Sequence, residues 1–127
     1  MLGELEEDGS TILCDMEAGI GTVVRLQPGD IDMVLVVAEP SAKAVDVAIR
    51  SARIAASRAD VVVVANKLRG NDDLELIRAA IGEHEVVAVP QDPVIERAER
   101  EGVAPIDLDA DSPAIRAIAL LGERLGR

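Results

Sequence analysis

The chain has 127 residues, with 13 Lys+Arg against 24 Asp+Glu and a net charge of −11 at neutral pH. That field repels duplex nucleic acid and anionic membrane surfaces, and the absence of Phe, Tyr and Trp removes the aromatic platforms on which single strands stack. Apolar residues make up 49% of the chain, enough for one core of Val, Ile, Leu, Ala and Met, so residues 1–127 read as a single domain with neither nucleic acid nor membrane as partner.

The longest apolar runs, Met33–Ala38 and Val61–Ala65, fall far short of a membrane span. No basic region precedes an apolar stretch in the manner of a signal peptide. A single cysteine, Cys14, excludes an internal disulfide framework and leaves no thiolate cluster for a metal. The expected location is a reducing cytoplasm.

In chain order, Thr11–Cys14 predicts a first strand ending at Asp15. Met16–Asp32 then reads as a long loop with Gly19, Gly21 and Gly29 and no clean helical period. Met33–Ala38 is the second strand. Ser41 caps a helix that places Val45, Ala48, Ile49, Ala52 and Ala55 on one face. Val61–Ala65 is the third strand. Asp72 and Glu75 stand at capping-box spacing ahead of Leu76, Ile77, Ala80 and Ile81. Val86–Val89 is the fourth strand. Asp92 and Pro93 open a helix that Gly102 closes, and Ser112 and Pro113 open a last one. The middle strands are nearly continuous apolar runs rather than alternating ones, the pattern of strands covered on both faces. The predicted fold is α/β: a layered α/β/α domain around a mainly parallel sheet of about four strands with right-handed crossovers.

Candidate chemistry sits at the carboxyl ends of these strands, where open α/β sheets bind ligands. Asp15 could hold a magnesium ion through water, and Gly19 could bring a backbone N–H against a terminal phosphate. The plain reading of both is a strand-end turn. The Asn66 amide can read a purine edge with donor and acceptor together, or be ordinary loop chemistry beside Lys67. Pro90–Gln91–Asp92–Pro93 is fully explained as a turn feeding a helix cap, and any contact of its backbone with a base would be additional. His84, between Glu83 and Glu85, reads as a solvated residue. Asp107, Asp109 and Asp111 read as a loop before a cap, since no Gly and Glu complete a calcium loop.

Taken in order, Asp15–Gly19, Asp32–Ser41, Val62–Lys67 and Val87–Asp92 resemble the C-terminal half of the MinD/ParA-like P-loop ATPases, with the nearest likeness to the CooC maturation ATPases. The resemblance runs from about Leu13 to Leu125 and implies a partial P-loop NTPase fold. It implies Asp15 as the magnesium aspartate, Gly19 as the γ-phosphate sensor, Asn66 as the adenine reader and Pro90–Asp92 as lining of the base pocket. No G-x-x-x-x-G-K-[ST] occurs in the 127 residues, and the glycine cluster Gly19–Thr22 has no lysine. The backbone cradle and lysine that hold phosphates are therefore missing from this stretch. The expectation is a truncated or split nucleotide-binding domain, inactive alone, that takes ATP or ADP and magnesium only with the other half supplied. The alternative is a non-catalytic interaction or scaffold domain derived from the same fold. A homo-oligomer or a complementing chain is the expected partner.

Overall fold

The computed structural model describes residues 10–16 and 20–126. Three strands, β1 (Met33–Ala38), β2 (Asp60–Leu68) and β3 (Glu85–Pro90), form one sheet in the order β1-β2-β3. Both pairings are parallel, with Val36 opposite Val63 and Val63 opposite Val86. The helices are α1 (Ile20–Val24), α2 (Ala42–Ala56), α3 (Asn71–Ile81), α4 (Pro93–Glu101), α5 (Pro105–Leu108) and α6 (Pro113–Leu125).

Central β2 must be apolar on both sides, because helices cover both. Side chains alternate along a strand. Val63 and Ala65 meet Val45, Ala48 and Ala52 of α2 and Ile77 and Ile81 of α3 on one face. Val64 meets Ala114, Ala117 and Leu121 of α6 and Ile95 of α4 on the other. Many of these contacts are Val or Ala, so the layers approach closely without any aromatic ring. The result is the layered α/β/α arrangement expected from the continuous apolar runs.

Helix ends follow local chemistry in part. The Ser41 hydroxyl accepts from the Ala44 N–H at 3.2 Å and starts α2. At the other end of α2, Arg58 donates to the carbonyls of Ile54 at 2.8 Å and Leu26 at 2.7 Å. A cation thus satisfies the helix C-terminus and ties the segment after α1 to it. Gly102 ends α4 with φ of 68°, a left-handed conformation that glycine adopts without a Cβ clash.

Four expectations need correction. Thr11–Cys14 is not a strand: these residues have no regular structure, and Leu13 is 79% exposed. A short apolar run becomes a strand only where a neighbour takes its backbone hydrogen bonds, and among the described residues the sheet has three strands rather than about four. The loop before β1 contains a helix, α1, too short to show a period. Asp72 does not cap α3. Gly70 holds the cap position, and Asp73 reaches back to the Arg69 N–H at 2.9 Å. A four-residue helix, α5, interrupts what reads as loop between α4 and α6.

The core assignment is tested on adjacent residues of α3. Ile77→Ala, at a fully buried position, is expected to lower stability by about 2–5 kcal/mol. Leu76→Ala, at a side chain 54% exposed, is expected to stay within about 0.5 kcal/mol. Urea denaturation followed by circular dichroism measures both.

Candidate functional site

The carboxyl ends of β2 and β3 carry the candidate residues. β2 runs past Ala65 through Asn66 and Lys67 to Leu68, so Asn66 belongs to the strand rather than to a loop after it. The β2–β3 register shifts between Ala65 and Leu68, and Lys67 has φ of 58°. A non-glycine residue in the left-handed region stores strain and turns the chain locally. Ladder pairing resumes with Leu68 opposite Pro90, and the Gln91 N–H donates to the Leu68 carbonyl at 2.8 Å. Half-buried Asn66 and half-buried Pro90 are thereby brought to the same end of adjacent strands. Beyond them Leu68, Arg69, Gln91, Pro93 and Glu96 line a hollow of about 370 Å³.

Asp92 is buried, and its carboxylate is fully engaged within the fold. Oδ1 accepts from the Val94 N–H at 3.0 Å, capping α4, and Oδ2 accepts from the Ala114 N–H at 3.0 Å, capping α6. Ser112 occupies the α6 cap position but makes no cap hydrogen bond. The Ala114 and Val94 N–H groups hold the Asp92 carboxyl below its usual range, against the opposing effect of burial. The Ser112 hydroxyl adds a smaller lowering, although it has no hydrogen-bond partner of ordinary geometry. Any contact of Asp92 with a ligand therefore falls to its backbone, while the exposed Gln91 side chain lines the neighbouring hollow.

An ion pair joins Lys67 to Glu39 at 2.9 Å, across the ends of β1 and β2. The Glu39 hydrogen bond and charge hold the Lys67 ammonium above its ordinary pKa, with smaller contributions from Glu99 and Glu96. The sequence reading missed this pair. No sequence signal gives it: Ala38 lies opposite Ala65, and Glu39 meets Lys67, one residue further along β2 than the register alone would pair it with.

Asp15 stands apart from this cluster. It is exposed and lines a different hollow, along the outer edge of β1, with Asp30, Asp32 and Glu39. Gly19 lies outside the described residues. The structure thus places Asn66, Pro90 and Asp92 at the same end of the sheet, and Glu39 both lines the β1 hollow and pairs with Lys67 beside Asn66. Among the described residues no group of three His, Cys, Asp or Glu side chains is placed to hold a metal ion. Asp109 accepts from the Asp111 N–H at 2.9 Å, a local loop role, while Asp107 of the same acidic run lies in α5 rather than in a loop. No helix among the described residues is long and apolar enough to cross a membrane.

Two measurements check these roles. Because the folded-state pKa of Asp92 is depressed, its stabilisation is complete above the unfolded value of about 3.9 and is lost as pH falls through the lower folded value. Wild type is therefore expected to melt above Asp92→Asn at neutral pH, and the gap is expected to close on acidification below about pH 4. Asp15→Asn, at an exposed position, is expected to change stability by less than about 0.5 kcal/mol, as read by chemical denaturation.

No protein-family model matches the chain, and no curated protein matches it. Among solved structures it is similar to the MinD cell division protein of Aquifex aeolicus, with a TM-score of 0.61 and 23% sequence identity. The match covers 82% of this chain and 45% of that one. The chain thus spans less than half the length of the structure it matches, and over that span it has the MinD-like, P-loop NTPase-like α/β fold.

Proposed function

We propose that this chain is the base-side part of a MinD-type adenine-nucleotide domain, without ATP hydrolysis of its own. The observation that carries the reading is the placement of half-buried Asn66 and the Pro90–Asp92 segment at the carboxyl ends of adjacent parallel strands β2 and β3, joined through Leu68, on a MinD-like fold. In this proposal the Asn66 amide pairs with a purine edge, and the backbone after β3 lines the ring. The residues fit a base better than they fit phosphates. Lys67 is held by Glu39, and no glycine-rich loop with its lysine occurs in the 127 residues. Phosphate contacts would come from outside these residues, as a complementing segment or chain. Asp15 would then hold magnesium together with phosphate oxygens and water, since that ion is commonly bound through one or two carboxylates plus substrate. A CooC-like assignment is the finer form of this proposal and rests on the order of the sequence motifs.

The second reading is a non-catalytic interaction domain that keeps the fold without the ligand. It is favoured by the engagement of the Asp92 carboxylate with two helix N-termini.

The two readings separate in a nucleotide titration followed by amide chemical shifts. Binding by base contacts alone is expected near a millimolar Kd, about −4 kcal/mol. It should centre on Asn66 and Gln91 and weaken about tenfold in Asn66→Ala. Magnesium-dependent ATP turnover is expected to stay at background. Shifts absent at saturating nucleotide would leave the interaction-domain reading standing. Turnover that Asp15→Ala abolishes would overturn the claim of inactivity.

A further inference from the structure

Strand β2 carries one residue more than its pairing with β3 requires. Ala65 lies opposite Ala88 and Leu68 opposite Pro90, so Asn66 and Lys67 stand where β3 has the single residue Val89. Such a β-bulge is rare between parallel strands. Lys67 makes it with φ of 58°, and among the described residues no other non-glycine residue has positive φ. A strained backbone of this kind persists only where the surrounding structure holds it.

Packing does not ask for the extra residue. Side chains alternate along a strand. Val63, Ala65 and Leu68 all lie in the core beneath α2 and α3, while Val64 lies in the opposite core. Ala65 and Leu68 are three apart in sequence and share a face only because the bulge intervenes. Without Lys67 they would be two apart. Ala65, Asn66 and Leu68 would then run opposite Ala88, Val89 and Pro90 as a regular ladder, with Leu68 on the same face and opposite the same partner, and with no left-handed residue. Charge does not explain the strain either. Lys67 and Glu39 have side chains 58% and 54% exposed, and ion pairs so exposed contribute little. Strain that neither packing nor charge accounts for, at the carboxyl end of a strand, points to function.

The residue that the bulge affects is Asn66, half-buried between Ala65 and Lys67. A bulge takes its residues out of regular pairing and re-aims their side chains. We propose that the bulge is a positioning device: the left-handed backbone of Lys67 sets the direction of the Asn66 amide, and the Lys67 ammonium is dispensable for that role. The inference rests on the base-site reading above and adds Lys67 to it as a positioning residue.

The test compares the full wild-type chain with a variant lacking Lys67 and with Lys67→Gly. Urea denaturation followed by circular dichroism reads stability. Titration with AMP reads binding through the Asn66 side-chain amide and the Gln91 backbone amide. The deletion variant is expected to unfold at a urea midpoint no lower than that of wild type, because pairing and burial are kept and the strain is removed. It is expected to bind AMP about tenfold more weakly, the loss of one well-aimed hydrogen-bonding side chain. Glycine adopts positive φ without a Cβ clash, so Lys67→Gly keeps the bulge without the charge and is expected to bind within about threefold of wild type. A deletion variant that does not fold, or whose midpoint falls, would show that packing requires the extra residue and would overturn the proposal. A deletion variant that binds AMP as wild type does would overturn it while leaving the base site standing. Lys67→Gly that loses as much binding as the deletion would overturn it in favour of the ammonium. Wild type showing no AMP-dependent shift would overturn the base-site reading and this inference with it.

Discussion

Strand β2 is hydrogen-bonded to β1 on one side and β3 on the other, and its centre, Val62 to Ala65, is buried on both faces. Everything else is arranged around that double burial. Two helices, α2 and α3, close one face, and α6 with α4 closes the other. Without rings in the sequence, the layers are filled by β-branched and alanine side chains, which favours close approach over large area per residue. Each parallel connection must return across the sheet, so the carboxyl ends of the strands gather on one side. The candidate residues owe their proximity to that geometry and not to sequence spacing.

At this side of the sheet, structure and ligand chemistry compete for the same atoms. Asp92 is the clearest case. One carboxylate closes the N-termini of two helices that lie 20 residues apart at their start, Pro93 and Pro113. Backbone N–H groups at helix starts lack intrahelical partners, and a shared anion satisfies both ends at once. The same arrangement fixes α6 against β3, where Arg124 also pairs with Glu85. A residue so engaged shapes a pocket without reaching into it. Lys67 shows the other side of the competition, since its strained backbone is combined with an exposed ion pair to Glu39. Exposed pairs of this kind contribute little to stability, so the ion pair does not explain the strain.

The edge of the sheet is a separate matter. Among the described residues β1 has one neighbour, and its exposed Val37 and the apolar residues around it stand beside Asp15, Asp30, Asp32 and Glu39. Proteins commonly blunt such edges with charges or cover them. Here the charges lie at the strand's two ends, Asp32 and Glu39, and leave its middle open.

Much of the fold was legible in the sequence because its signals are local. Continuous runs of Val marked the sheet strands, Ser41 and Asp92 marked helix starts, and Gly102 marked a helix end, since each depends on the chemistry of a few adjacent residues. The same logic misassigned Thr11–Cys14, because an apolar run does not say whether a neighbouring strand exists to pair with it. It placed Asn66 after β2 rather than within it, because a bulge is a property of two strands and not of one. Asp92 was readable as a cap for α4 but not for α6, whose N-terminus reaches it only through the packing of α6 on the sheet. The sequence by itself determined the element types, the double-sided burial of the central strand and the acidic surface. Only the tertiary structure decided which candidates meet, which carboxylate is already engaged and which edge stays open, because each of those depends on distances between residues far apart in the chain.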